Sequence, residues 1–397
     1  MSELKGYLRE DGRKGIRNHV AVAYLVECAH HVARQIAAVD PEAVHLIGFP
    51  GCFPNVYAQT MMERLCTHPN VGAVLLVSLG CESFDRARLA RIVAESGRPV
   101  EILVIQEAGG TRSTVDAGRD WVAARARELA AVDPVPMSVA ELCVGTVCGG
   151  SDGTSGITGN PAAGLAFDRL VAAGATCIFE ETGELIGCEG IMEARAATPA
   201  LGAEIRASVE KAARYYATLG FGSFAAGNAD GGLTTIEEKS LGAYMKSGRS
   251  PISGLIKPGD IPPRGGLYLM DVVPDGEVRY GFPNISDNAE IVEMMASGAH
   301  CTLFVTGRGS VVGSALAPVL KIAANPEMYD RLADDMDINA GRILRGEASL
   351  DAVGEEIYEA VLALARGEKS KSEGLGHTEF ILTYKTFEPL GPACLPT

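Results

Sequence analysis

Residues 19–80 read HVAVAYLVECAHHVARQIAAVDPEAVHLIGFPGCFPNVYAQTMMERLCTHPNVGAVLLVSLG. Apolar runs rich in Val, Leu and Ile at His19–Val26, Ala43–Gly48 and Val71–Leu79 have strand length. Between them, Ala29–Val39 and Val56–Cys66 carry helical spacing. Near-continuous apolar strands separated by helices of this length imply a parallel sheet covered on both faces. The pattern continues with a helix at Arg86–Ser96, a strand at Val100–Gln106 and a helix at Thr114–Val132.

Asp133-Pro134-Val135-Pro136 reads as a linker. Beyond it a second series begins with the strand Leu142–Val147, the helix Leu165–Ala173, the strand Ala175–Phe179 and the long helix Ala203–Ala217. Residues 220–266 are rich in Gly, Ser and Pro and carry little periodicity, which predicts a long irregular segment of functional use. Regularity returns at Leu267–Val273, Ala289–Ala296 and Cys301–Val305, then in helices over Met328–Arg345 and Leu350–Arg366 and a short strand at Phe380–Thr383. GEKSKSEG at 367–374 reads as an exposed loop. The fold expected is α/β: two Rossmann-like, doubly wound parallel-sheet domains packed together. Residues 1–135 form the first, and residues 136–397 form a larger one carrying most of the site.

The composition limits the partners. The chain has 397 residues and a formal net charge of −15, so its surface as a whole is a poor match for nucleic acid or an anionic membrane. No apolar run approaches the roughly 20 residues that span a bilayer, and the polar start MSELKGYLREDGRKGIRN lacks a signal-peptide core. A cytoplasmic protein is expected. Ten cysteines are scattered without a CxxC pair, so a zinc ribbon is excluded and most thiols are expected to be buried small apolar groups.

Ligands of open parallel sheets bind beyond the carboxyl ends of the strands, so the residues following each strand matter most. Three cysteines there abut glycine: Cys52, Cys81 and Cys148. Either they supply thiolates to a soft metal or iron–sulfur centre, or they fill tight turns. CGGSDGTSG at 148–156 sits between a strand and a helix and reads either as a loop whose backbone N–H groups receive an anion or as a tight strand-to-helix turn. Glu181-Thr182-Gly183-Glu184 is either an acid–base or hard-metal site or an exposed acidic turn. Residues 227–240 run from a Gly/Asn loop into a short helix carrying Lys239, which reads either as a base or anion clamp or as an exposed lysine paired with glutamate. Thr306-Gly307-Arg308-Gly309-Ser310, followed by Lys321, reads as an anion loop or a plain glycine turn. The basic stretch 6–18 is a solvated arm or an anion-holding loop, and His68 reads as structural.

Taken together, GYLREDGRKGIRN (6–18), HPNVGAVLLVSLGCE (68–82), QEAGGTRSTVDAG (106–118), CGGSDGTSGITGNP (148–161), EETGELIGCEG (180–190), GNADGGLTTIEEKSLG (227–242), TGRGS (306–310) and DINAG (337–341) resemble the altronate/galactarate dehydratase family over residues 6 to about 383. The resemblance implies a lyase that removes water from a sugar acid or related 2-hydroxy or 2,3-dihydroxy carboxylate. Iron, as Fe²⁺ or an Fe–S cluster, or manganese is the implied cofactor. Related two-subunit sulfo-lyases eliminate sulfite from sulfolactate instead.

On this resemblance Cys52, Cys81 and Cys148 are expected to hold the metal. Lys239, Glu181 or Glu184 would be the base, and Arg17, Arg308 and Lys321 would clamp the carboxylate. Ser151, Asp152, Ser155, Asn160, Asn228, Thr234 and Thr235 are the remaining expected substrate contacts. The family's small N-terminal SAF-type domain has no counterpart ahead of Gly6, so a separate small subunit is an expected partner, within a homo- or hetero-oligomer. The alternative of a different class is a sugar-acid-binding subunit, idle without that partner. The sequence departs from the family at GFPGCFPN and at the acidic loop, where Gly190 stands in place of a usual histidine.

Overall fold

The computed structural model describes residues 4–219, 226–275, 286–383 and 385. Two strands, β1 (Leu4–Leu8) and β2 (Lys14–Gly15), open the chain. Four parallel strands follow: β3 (His19–Tyr24), β4 (Val44–Gly48), β5 (Val71–Ser78) and β6 (Val100–Val104). Their spatial order is β4-β3-β5-β6. Every residue of β5 is buried, which is why its sequence is apolar without alternation.

The stretch expected as a linker contributes β7 (Val135–Met137), which pairs antiparallel with β1. The second series supplies β8 (Cys143–Cys148), β9 (Thr176–Phe179), β10 (Ile252–Ile256), β11 (Gly266–Met270), β12 (Cys301–Thr306), β13 (Val319–Ala323) and β14 (Ile338–Asn339). They form one parallel sheet in the order β10-β11-β9-β8-β12-β13-β14. The doubly wound α/β expectation therefore holds for both sheets. From β8 the chain builds outward on one side through β9 and on the other through β12, so the order reverses between β8 and β12. That reversal is where an open sheet leaves a crevice at its carboxyl edge.

A continuous apolar core joins the two sheets. It combines Ile47, Met61 and Leu76 from the first series with Met294 and Phe304 from the second. The helix Val56–Cys66 packs on the helix Asp287–Ala296, and the Tyr57 hydroxyl donates to Glu293 Oε1 across that contact (2.6 Å).

Several elements differ from the sequence reading. Residues 226–266 are more ordered than expected, with helices Ala226–Asp230 and Ile236–Tyr244 and strand β10; residues 220–225 lie outside the described set. No single helix spans Met328–Arg345. A short helix Pro326–Arg331 gives way to β14 and a 3-10 turn at Ala340–Ile343, because Gly341 packs directly on the Pro326 backbone and Asp337 accepts the N–H groups of Lys321 and Lys371. Phe380–Thr383 carries no strand. The charged run 367–374 enters a helix, Lys371–Leu375, closed by a capping box between Ser370 and Glu373, with Ser370 and Ser372 buried. Among the described residues no helix is long and apolar enough to cross a membrane.

Candidate functional site

The crevice at the carboxyl edge of β8 is filled by one buried cluster of ionisable side chains. Cys148, the last residue of β8, places its sulfur 3.3 Å from Glu181 Oε2 and 3.3 Å from Glu184 Oε2. Two amines meet the same sulfur, Lys239 Nζ at 3.2 Å and Lys246 Nζ at 3.3 Å. Lys239 pairs with Glu184 at 2.5 Å, and Lys246 pairs closely with Glu181. All five residues are buried. The acidic turn is therefore an interior feature, and Lys239 does not lie on the surface.

Local structure explains how each group arrives. β9 ends beside β8, and the chain turns at Glu181, whose φ of 75° is left-handed. Few non-glycine residues adopt that conformation, which stores strain of about 1–3 kcal/mol. Glu181 Oε2 accepts the Cys148 N–H at 3.1 Å, a bond available only to a side chain turned back over the strand ends. Thr182–Leu185 then forms a 3-10 turn that brings Glu184 alongside. Lys239 comes from the helix Ile236–Tyr244. Thr235 caps this helix by accepting the Glu238 N–H (3.3 Å), and Thr234 donates to Glu238 Oε2 through its amide (2.7 Å) and hydroxyl (2.8 Å). Both threonines are exposed and fix the helix that delivers Lys239, rather than facing the cluster. Asn160 Nδ2 donates to the carbonyl of Gly242 (2.9 Å), tying the same helix to Gly159–Ala172.

The glycine loop after β8 forms the rest of the crevice. Ser151 Oγ receives a hydrogen bond from Lys239 (3.0 Å), and the Ser151 amide donates to Asn228 Oδ1 (2.8 Å). Asp152 Oδ1 accepts from the amide and hydroxyl of Thr154 and from those of Ser155; its Oδ2 accepts from Asn325 Nδ2 (3.0 Å). Gly307 follows β12 so closely that a Cβ there would lie 2.1 Å from Asp152 Oδ1. Arg308, on the exposed rim, donates to the carbonyl of Gly227.

Other expected site residues lie elsewhere. Arg17 is saturated by Glu373, at 2.7 and 2.9 Å, and by the carbonyls of Ile16, Leu364 and Glu368; it anchors the basic arm to the helix Lys371–Leu375. Lys321 is buried on β13; among the described residues its amine has no hydrogen-bond partner, and Asp335 Oδ1 is 3.9 Å away. Burial lowers its amine below the usual lysine range. Cys52 and Cys81 are exposed and follow strands of the first sheet, where the Ser83 amide donates to the Cys52 carbonyl (2.9 Å). The expected three-cysteine centre is not assembled around one ion. Among the described residues, three metal-capable donors come within 4.8 Å of one another only at Cys148, Glu181 and Glu184. Sequence reasoning missed Lys246, which has no glycine-loop signature, and missed that Glu181 and Glu184 rather than cysteines accompany Cys148.

The electrostatics follow from burial and pairing. Burial acts to lower the Lys239 amine, but the neighbouring Cys148 and Glu184 outweigh it and hold the amine well above the usual lysine value. Behind the cluster, burial and Glu184 push Asp287 up to about 6, and burial and Asp287 push Glu290 up to about 8. Burial and Glu290 raise Glu180 well above the carboxylate range. The sulfur–oxygen–oxygen donor set is one that could hold a metal ion. Glu181 Oε1 is buried and, among the described residues, has no hydrogen-bond partner, leaving a lone pair available there.

Two family models cover nearly the whole chain. That of the D-galactarate dehydratase/altronate hydrolase second domain matches residues 6–130, and that of the D-galactarate/altronate dehydratase C-terminal region matches residues 139–387. The beta subunit of the (2R)-sulfolactate sulfo-lyase of Chromohalobacter salexigens is 33% identical, over 95% of this chain and 96% of its own length. Altronate dehydratase of Escherichia coli is 28% identical over 94% of this chain and 75% of its own length. Galactarate dehydratase (L-threo-forming) of Escherichia coli is 33% identical over 78% of this chain and 59% of its own length.

Proposed function

This chain belongs to the D-galactarate/altronate dehydratase family, and from that premise we propose that it is a lyase acting on a small 2,3-dihydroxy carboxylate, releasing water from the β-carbon to give a 2-keto-3-deoxy acid. The observation that carries the reading is the buried Cys148, Glu181, Glu184, Lys239 and Lys246 cluster at the reversal point of the large sheet. Proton removal next to an ionised carboxylate needs a base and strong charge stabilisation together. The cluster supplies carboxylates and amines within hydrogen-bond reach of each other.

In this proposal Cys148, Glu181 and Glu184 would hold iron or manganese, which when bound would supply Lewis acidity to the departing hydroxyl. Glu181 Oε1, free of other partners, takes the proton α to the substrate carboxylate. Lys239 is held charged by its neighbours, so it serves as a cation steadying the enolate through Ser151 and not as the base. The Gly149–Ser155 loop and Asn228 orient the substrate hydroxyls, and Arg308 at the rim meets the carboxylate. The enol released by elimination becomes the keto acid in solution.

A second reading is elimination of sulfite from a sulfonated hydroxy acid. It is supported by the sulfo-lyase beta subunit, which is 33% identical over 95% of this chain, against 28% over 94% for altronate dehydratase. The naming of the sulfo-lyase relative as a beta subunit favours a further subunit in the enzyme, without which the chain would bind substrate only. The test is an anaerobic assay of iron-loaded protein on hydroxy acids and sulfonated analogues. Keto acid and sulfite are measured in parallel, with and without a co-encoded small protein. Keto acid without sulfite is the expected result. Sulfite moves the assignment to the second reading, and neither product from any substrate overturns both.

A further inference from the structure

Cys148 ends its strand at the carboxyl edge of the large sheet. At the opposite, amino edges of both sheets lies a cavity of about 350 Å³ that the proposed chemistry does not use. Its walls come from the start of β3, the turn before β4, the loop before β13 and the segment 367–378. His19 and His45 line it, with their rings stacked at 3.9 Å between centroids. His45 is engaged, because its Nδ1 accepts the Leu316 amide. His19 is only 8% exposed, yet its ring makes no hydrogen bond among the described residues. Buried polar groups are normally paired, so an unbonded imidazole on a cavity wall marks a place for a ligand. His377 lines the same cavity, and its buried Nδ1 also has no partner among the described residues.

The charges around His19 give the sign of that ligand. Burial, with His45, Arg17, His68 and Arg9 around it, holds the His19 imidazole well below the usual histidine value. Each of those neighbours is basic, so the potential at the ring favours an anion. The carboxylates of Glu373 and Asp40 act on His45 instead. Two carboxylates line the cavity, and both are already paired, Glu373 with Arg17 at 2.7 Å and Glu42 with Lys369 at 3.1 Å. The Arg17 guanidinium is saturated, so it contributes field rather than a hydrogen bond. The Glu42–Lys369 pair is open to solvent, with side chains 81% and 53% exposed. Such pairs stabilise by about 1 kcal/mol at most, so the Lys369 ammonium turns to a ligand at little cost.

We propose that this cavity binds a small oxyanion, a phosphate or a carboxylate, between His19 and Lys369. Both side chains donate hydrogen bonds to its oxygens, and the lysine adds charge. His377 offers a further nitrogen. The occupant bridges β3 of the first sheet and the segment 367–378, whose helix Lys371–Leu375 packs on β13 of the second. It therefore ties the two sheets together at the edge away from Cys148, and the inference does not depend on the reaction proposed above.

The test is calorimetric titration of the full chain at constant ionic strength, with inorganic phosphate in one arm and pyruvate in the other, and thermal melts in parallel. Wild type should bind one equivalent of at least one probe and melt at a higher temperature in its presence. Saturation by phosphate alone identifies a phosphate site, and by pyruvate alone a carboxylate site. Cys148→Ser should bind as wild type does. His19→Gln and Lys369→Gln should each weaken binding about tenfold or more, the loss expected for a hydrogen bond to a charged group, and should lose the rise in melting temperature. Lys369 is exposed, so Lys369→Gln decides the matter if His19→Gln fails to fold. Saturable binding of neither probe overturns the proposal, as does undiminished binding in either folded variant. Binding lost in Cys148→Ser but kept in Lys369→Gln places the anion in the crevice and overturns it as well.

Discussion

Lys239 Nζ lies 3.2 Å from Cys148 Sγ, although 91 residues separate them in the chain. The contact joins a capped helix to a strand end, and Glu184 closes it from a third element. An amine buried and paired at such a point is expected to matter through charge. Lys239→Met should lower kcat by about two to three orders of magnitude, the usual loss for a group that stabilises developing negative charge. Circular dichroism should be unchanged. Steady-state kinetics that show less than a tenfold loss would remove Lys239 from the mechanism.

Metal content should follow the buried thiol. Cys148→Ser is expected to purify with little iron, whereas Cys52→Ser and Cys81→Ser should carry the wild-type amount, since those two residues are exposed and apart from the donor trio. Alkylation followed by mass spectrometry should label Cys52 and Cys81 well before Cys148. Loss of iron in either exposed-cysteine variant would restore the cysteine-only centre.

Gly156 tests how tightly the catalytic helix is seated. A Cβ on Gly156 would come within 2.8 Å of Gly242 Cα, which belongs to the helix of Lys239. Backbone cannot swing aside as a side chain can. Gly156→Ala should cost about 1–3 kcal/mol, as overpacking does, and reduce kcat by shifting Lys239. Gly374→Ala, where nothing lies within 4 Å, is the control and should leave both unchanged. Equal melting temperatures for the two variants would contradict the close approach.

Acid should destabilise the protein through its buried histidines. Burial drives His45 down to about 4 and lowers His19 and His68 well below the ordinary value of 6.5. His45 Nδ1 accepts the Leu316 amide (2.9 Å), which requires the unprotonated nitrogen. The unfolded chain takes up these protons first as pH falls. Stability is therefore full above about 6.5 and declines down to about 4, at about 1.4 kcal/mol per pH unit for each histidine. Urea melts at pH 7 and pH 5 should show His45→Gln losing less stability than wild type. Identical losses would mean His45 is protonated in the folded state.

The parallel architecture was legible because it depends on local pattern. Val71–Ser78 is apolar throughout since both faces of its sheet are covered, and that holds wherever the strand sits. The loops after β8, β9 and β12 were legible as site loops for the same reason, since a parallel sheet gathers the ends of its strands on one edge. The failures arose where a residue's surroundings come from distant chain. Glycine-flanked Cys52, Cys81 and Cys148 look alike in sequence, yet strand order puts the first two on a separate sheet. Arg17 looks like an anion clamp until Glu373 occupies it. Thr234 and Thr235 look like ligand contacts until they close a helix end.

The amino-acid sequence by itself determined the fold class, the family and the sheet edge that carries the chemistry, because apolar periodicity and glycine placement are properties of neighbouring residues. Only the tertiary structure decided which side chains share the crevice. Glu181, turned back in a left-handed conformation, and Glu184 reach Cys148 from one distant segment, and Lys239 and Lys246 from another. Their burial and pairing, and hence their charge, exist only once those segments pack, since the energy of an ion pair depends on separation and on exclusion of water rather than on position in the chain.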